Sequence, residues 1–214
     1  MMRALSSIAA ALLLAAGCAI ANAQSLPVAG REFIVLDPPR PAATGAAIEV
    51  IEFFYYGCPV CYESQPYIAR WLERTGAEAS LRRVPAASFE SAENFALTFY
   101  ALEATGHLAQ LHEAVYENHH FDDQRLSEEP NLLEWLARNG VDAEAFRQMR
   151  HSAENRLRVA EGRRIIELYN VRGVPAFAVD GRYLTSARLA GGVKEMMDVV
   201  AYLVGRAREE RLKK

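Results

Sequence analysis

Residues 48–56 (Ile-Glu-Val-Ile-Glu-Phe-Phe-Tyr-Tyr) form a nearly continuous run rich in β-branched and aromatic side chains. Such a run reads as a strand covered on both faces, and strands of that kind belong to sheets flanked by helices. The chain then passes through Gly57, Cys58, Pro59, Val60 and Cys61 into a stretch reaching about residue 74. In it Tyr62, Ile68 and Leu72 fall on a helical stripe, and Gly76 lies just past its end. Pro66 lies inside this helix, removes one backbone donor and is expected to kink it. Residues 81–84, ending at Pro85, supply the next strand, so the unit is βαβ with parallel strands.

The length of 214 residues suits one domain, or one domain with a sizeable insertion. With 51% hydrophobic and 24% charged residues, the chain has enough apolar matter for a core, which excludes wholesale disorder. Lys plus Arg number 24 against 27 Asp plus Glu, a net charge of −3. No basic field points to nucleic acid, and no acidic block points to a solvating tail.

The first segment reads as an address. Arg3, an apolar stretch from residue 8 to 20 and the exit Ala21-Asn22-Ala23 have the layout of a secretory signal peptide over 1–23, with cleavage after Ala23. About 13 apolar residues are too few for a membrane span, which needs roughly 20. Ala15-Ala16-Gly17-Cys18 competes as a lipoprotein processing box. Cleavage after Ala23 discards Cys18 and leaves two cysteines, Cys58 and Cys61, in a soluble mature chain.

The rest of the chain orders itself around that unit. Residues 24–46, rich in Ala and Pro, form an extended lead-in with one edge strand over 33–36. Helices are expected over 92–105, 107–118, from Ser127 to a stop at Gly140, after an N-cap at Asp142, and over 152–169. Strand character returns at 176–179 and 182–184 around Asp180-Gly181, a strong hairpin signal. A terminal helix over 193–208 closes the chain. The domain reading is therefore a β-sheet domain over 47–88 and 153–214, interrupted by a helical insertion over 89–152.

The chemistry lies in Cys58-Pro59-Val60-Cys61. Pro59 suits the first helical position, which puts Cys58 at the N-cap. A thiolate there meets the unpaired amides of Val60 and Cys61 and the positive end of the helix dipole, so its pKa should fall. Cys61, one turn on, is close enough for a disulfide and more buried. Cys58 is therefore the exchanging sulfur and Cys61 the resolving one. A structural disulfide is poorly served by so short a loop. No metal is expected at the pair, since no second CxxC exists. His107 and His112, or His119-His120 with Asp122 and Asp123, invite a metal reading, but a solvated helix end explains the latter equally well.

Two other features complete the site. Glu52 lies inside the apolar strand, six positions before Cys58, where burial should raise its pKa. It either passes a proton to or from Cys61, or serves as a structural acid paired with Arg82 or Arg83. Gly173-Val174-Pro175-Ala176-Phe177 opens a strand with a proline after a glycine stop; taken alone it reads as an ordinary trans proline.

Glu52-Phe53-Phe54, the Cys-Pro-x-Cys, Gly173-Val174-Pro175 and the Asp180-Gly181 turn, in this order and spacing, resemble the DsbA family of periplasmic thiol oxidants over about residues 46–210. The resemblance implies a thioredoxin-like α/β fold with a mixed sheet and a helical insertion, and a disulfide oxidase that works through its cysteine pair without a cofactor. It implies that Pro175 is cis and lies against the cysteines, and that Val174 offers its backbone to an extended substrate peptide. Apolar surface around Val60 and Val174 would give substrate breadth. The implied partners are reduced, unfolded secreted proteins and a membrane-embedded, quinone-linked DsbB-like reoxidase; a monomer is expected. Well-known members carry histidine where this chain has Val60, which offers the sulfur neither charge nor hydrogen bond, so a weaker oxidant is expected. The alternatives are a disulfide isomerase or reductase, and a metal-handling thioredoxin-like protein. Isomerases of the fold usually carry a separate N-terminal dimerisation domain, for which the lead-in is too short, and tend to place threonine before the proline.

Overall fold

The computed structural model describes residues 26–42, 45–121 and 124–213. The expected leader with Cys18 lies outside the described residues, as do Asp122 and Asp123.

The apolar run becomes β2 (Ile48–Phe54), buried at every position. It leads into α1 (Pro59–Thr75), which continues unbroken through Pro66 and ends at Gly76 with φ 53°. After one 3-10 turn comes β3 (Ala79–Pro85), parallel to β2 with Ile48 opposite Ala79 and Phe54 opposite Pro85. Four helices follow: α2 (Glu90–Ala104), α3 (Leu108–His120), α4 (Glu129–Arg138) and α5 (Ala143–Arg150). Then come α6 (Ala153–Leu168), β4 (Ala176–Val179), β5 (Tyr183–Ser186), α7 (Ala187–Ala190) and α8 (Val193–Leu212).

A short β1 (Ile34–Val35) pairs antiparallel with β5 and completes a mixed sheet in the order β1-β5-β4-β2-β3. The β4–β5 hairpin turns on Asp180 and Gly181, with φ 53° and 63°, the left-handed pair that a two-residue hairpin favours. At Gly181 a side chain would meet the Arg40 carbonyl, because the lead-in packs there, with Arg40 N–H donating to the Gly181 carbonyl at 2.7 Å.

Side chains alternate across β2. Ile48 and Val50 pack with Ile68 and Trp71 of α1 and with Met196, Val200 and Leu203 of α8. Ile51 and Phe53 pack on the opposite side with Ile165 of α6 and Tyr169. Phe54, at the end of the strand, enters a third cluster built mainly from α2 to α5, with Phe95, Phe99, Tyr116 and Trp135. The helices thus seat against the end of the strand that carries the cysteines.

Most elements begin or end within about two residues of the sequence reading, and some depart by more than that. Helix α4 starts at Glu129, with Pro130 in its first turn, because proline is well placed at a helix start; Ser127 lies before it. Helix α8 continues to Leu212, past the expected stop. The single turn α7, capped by Ser186, was not expected.

Candidate active site

Cys58 is the N-cap of α1, with φ −95° and ψ 114°, and Pro59 occupies the first turn. The cysteine arrives there through a turn closed by its own amide donating to the Tyr55 carbonyl at 3.0 Å. A Cβ at Gly57 would lie 2.4 Å from the Tyr55 ring, so a side chain there would have to displace that ring. The Tyr55 hydroxyl is 3.1 Å from Ser91 Oγ, and its ring meets Phe89 edge to face.

Both cysteines are thiols, Cys58 partly exposed and Cys61 fully buried. The Cys61 thiol, donating to the neighbouring sulfur, is the main cause that lowers Cys58 to about 6 from an ordinary 9.0; the amides of Cys61 and Val60 add to it and outweigh the cost of partial burial. The neutral thiol itself closes no capping bond with those amides; it donates instead to the Val174 carbonyl at 3.7 Å. Burial, followed by the neighbouring sulfur, drives Cys61 strongly upward. One sulfur is therefore ionised at neutral pH and the other is held protonated.

Glu52 is completely buried, and burial raises its pKa despite two partners. Arg83 Nε donates to Oε2 at 2.9 Å, and Gln65 Nε2 donates to Oε1 at 3.1 Å. Of the two arginines considered for this acid, Arg83 stands opposite it in the β2–β3 register; Arg82 lies 3.8 Å from Glu49. The same Gln65 nitrogen also donates to the Cys61 carbonyl at 3.0 Å, tying the acid to the first turn of α1. Gln65 is one helical turn beyond Cys61, a spacing visible in sequence.

The Val174–Pro175 peptide is cis. Val60, Val174 and Pro175 together line a groove of about 330 Å³ that continues to residues 184–189, and Val60 is 40% exposed. A larger cavity of about 790 Å³ lies across the 171–174 segment, between Tyr55, Phe89 and Ile166. The segment 171–174 thus lines both hollows.

The histidines take places that the sequence did not suggest. His112 is buried, with Nδ1 2.7 Å from the Tyr56 hydroxyl, and burial lowers it to about 3. His120 Nε2 donates to the Tyr56 carbonyl at 2.8 Å. His120, half-buried, is therefore packed against the cysteine-bearing turn, and His119 against Phe95. Among the described residues, no group of three or more His, Cys, Asp or Glu is placed to hold a metal ion.

The family model of the DSBA-like thioredoxin domain matches residues 63–203. The Thiol:disulfide interchange protein DsbA of Burkholderia cepacia is 31% identical over 213 residues, covering 99% of this chain and 100% of its own. That of Azotobacter vinelandii is 32% identical over 179 residues, 84% of each chain. In three dimensions, the crystal structure of Pseudomonas aeruginosa DsbA superposes with a TM-score of 0.81 at 32% identity, covering 88% of this chain and 97% of that one. A sulfur held as an anion beside one held as a thiol, on a fold shared with these relatives, makes this chain a thiol:disulfide oxidoreductase of the DsbA-like thioredoxin family.

Proposed function

We propose that the chain oxidises cysteine pairs in newly secreted proteins, with Cys58 as the exchanging sulfur. A client thiolate attacks Cys58 Sγ of the Cys58–Cys61 disulfide. The disulfide breaks, a mixed disulfide forms, and Cys61 leaves as a thiolate that takes up a proton. The second client thiolate then attacks the client sulfur of the mixed disulfide, forming the client disulfide and releasing Cys58 as a thiolate. The client loses two electrons and the Cys58–Cys61 pair gains them. Cys58 is the better leaving group because its pKa is the lower, which biases the mixed disulfide toward oxidised client. The observation that carries this direction is the split between the two sulfurs: Cys58 lowered to about 6, Cys61 raised.

Glu52 supplies and recovers the Cys61 proton. Its support is complete burial, a raised pKa, and the shared Gln65 amide that joins it to the Cys61 peptide. Val174 presents its backbone to an extended client beside Cys58, while Val60 and Pro175 form the apolar groove that takes neighbouring side chains, so that backbone is read more than sequence. Reoxidation follows by Cys58 attack on a disulfide of a quinone-linked, DsbB-like membrane partner, with Cys61 resolving. The chain works without a cofactor, as a monomer, in the periplasm, after removal of residues 1–23; residues 89–152 are a helical insertion in a thioredoxin-like domain.

The test is oxidation of a reduced, unfolded protein by catalytic amounts of the chain with oxidised glutathione as terminal oxidant. Disulfides should form with turnover, and Cys58→Ser should abolish them. Turnover that survives Cys58→Ser overturns the proposal. Rescue of a scrambled protein without net oxidation would instead mark an isomerase, and stoichiometric retention of zinc or copper without thiol oxidation a metal carrier.

A further inference from the structure

The turn that delivers Cys58 to α1 has Tyr55 and Cys58 at its ends and the Tyr56–Gly57 peptide at its centre. In a turn closed between its end residues, the central peptide is not fixed by that closing bond and is free to reorient. Here its carbonyl, that of Tyr56, accepts from Nε2 of His120 at 2.8 Å, across 64 residues of sequence. Pro59 and Val60, between the cysteines, carry no polar side-chain atom with which to brace the turn.

His120 is the third member of a row on α3. His112, Tyr116 and His120 stand four residues apart and so share one face of the helix. All three grip Tyr56: His112 Nδ1 its hydroxyl at 2.7 Å, Tyr116 its ring with centroids 4.8 Å apart, and His120 its carbonyl. The row also reaches the other side of the cysteine pair, because the Tyr62 ring stacks on His120 and tilts against Tyr116, both at 5.8 Å. One face of α3 therefore touches the residues that flank the motif on both sides.

We infer that His120 is a positioning residue for the exchanging sulfur: by holding the central peptide of the Tyr55–Cys58 turn, it keeps Cys58 at the mouth of α1 over the amides of Val60 and Cys61. This rests on Cys58 being the exchanging sulfur. Loss of the brace lets the turn peptide reorient and weakens the alignment of sulfur and amides, so the thiolate forms less readily.

The experiment compares the reduced mature chain, residues 24–214, with its His120→Ala, His120→Gln and His120→Asn variants. The Cys58 thiolate is followed by its ultraviolet absorbance against pH, and its rate of attack on oxidised glutathione is measured at pH 6. Glutamine places an amide N–H at about the reach of the imidazole Nε2; asparagine falls short. The Ala and Asn variants should titrate about one pH unit above the wild type, which at pH 6 reduces the thiolate about fivefold and, because a more basic thiolate is intrinsically more nucleophilic, the rate about twofold, while Gln stays close to wild type. Wild-type midpoints in all three, with only a lower melting temperature, would overturn the inference, as would Gln falling with Asn. If the Ala variant does not fold, the Gln–Asn pair decides. A wild-type midpoint near that of free cysteine would overturn the Cys58 reading itself, before any variant is compared.

Discussion

Replacing Cys61 by alanine removes the largest single cause of Cys58 ionisation. The Cys58 thiol lies at about 6 against 9.0, a depression of three pH units. At ~1.36 kcal/mol per unit this amounts to ~4 kcal/mol for a fully shielded group. Cys58 is only half-buried, and solvent screening reduces the usable part to ~2 kcal/mol. A hydrogen bond to a charged group contributes ~1.5–3 kcal/mol, and a thiol is a weak donor, so the Cys61 share is ~1.4 kcal/mol. Cys61→Ala should therefore raise the Cys58 midpoint by ~1 unit from about 6. Cys61→Ser, which retains a donor, should stay closer to the wild type. Thiolate absorbance between pH 4 and 10 reads both variants directly, because only one cysteine then titrates in the mature chain. An Ala midpoint still at 6 would remove the sulfur–sulfur hydrogen bond as a cause. One at 9.0 would remove the helix start.

Three further outcomes follow from the same geometry. Glu52→Gln should slow resolution by Cys61 at least ~10-fold and flatten its pH profile, since Gln cannot carry the proton; stopped-flow decay of a mixed disulfide with glutathione at unchanged rate and profile would exclude the relay. Val60→His adds a donor and a charge beside the sulfur, and should make the pair more oxidising, by ~30 mV for each tenfold gain in the glutathione equilibrium constant; an unchanged constant would show that this position does not tune the pair. His112 is lowered to about 3 by burial, whereas in the unfolded chain it takes its proton near 6.5. Its neutral form therefore supports the fold fully above pH 6.5, and that support is lost as pH falls from 6.5 toward 3. Denaturant unfolding of the chain should show this loss, and His112→Gln should make the slope in that interval shallower; an equal slope in both proteins would contradict it.

What was legible in the sequence was local. The buried strand, Pro59 at the helix start, the Asp142 cap and the Asp180-Gly181 hairpin each follow from a few neighbouring residues, and all stand in the structure where they were read. The asymmetry of the two cysteines follows from the same short-range logic. Pairings across distance were not legible. Choosing Arg83 over Arg82 for Glu52 requires the register of β3 on β2, which no residue near Glu52 encodes. The row His112, Tyr116, His120 has visible helical spacing, but its target Tyr56 lies 64 residues from His120, and only the packing of α3 against the end of β2 brings them together. The short turn α7 was missed because four residues carry no periodic pattern.

The reduced pair is stabilised by keeping Cys58 ionised at neutral pH, and its redox potential as a function of pH reads this most directly. Below the Cys58 pKa, two protons accompany two electrons and the potential falls by ~59 mV per pH unit; above it only one proton does, and the slope halves to ~30 mV. Equilibration with glutathione from pH 4.5 to 8.5 should show that break near pH 6, where the Cys58 thiol titrates. A single slope of ~59 mV per unit across the whole range would mean that both sulfurs stay protonated, and the helix start would then have no part in driving disulfides into other proteins.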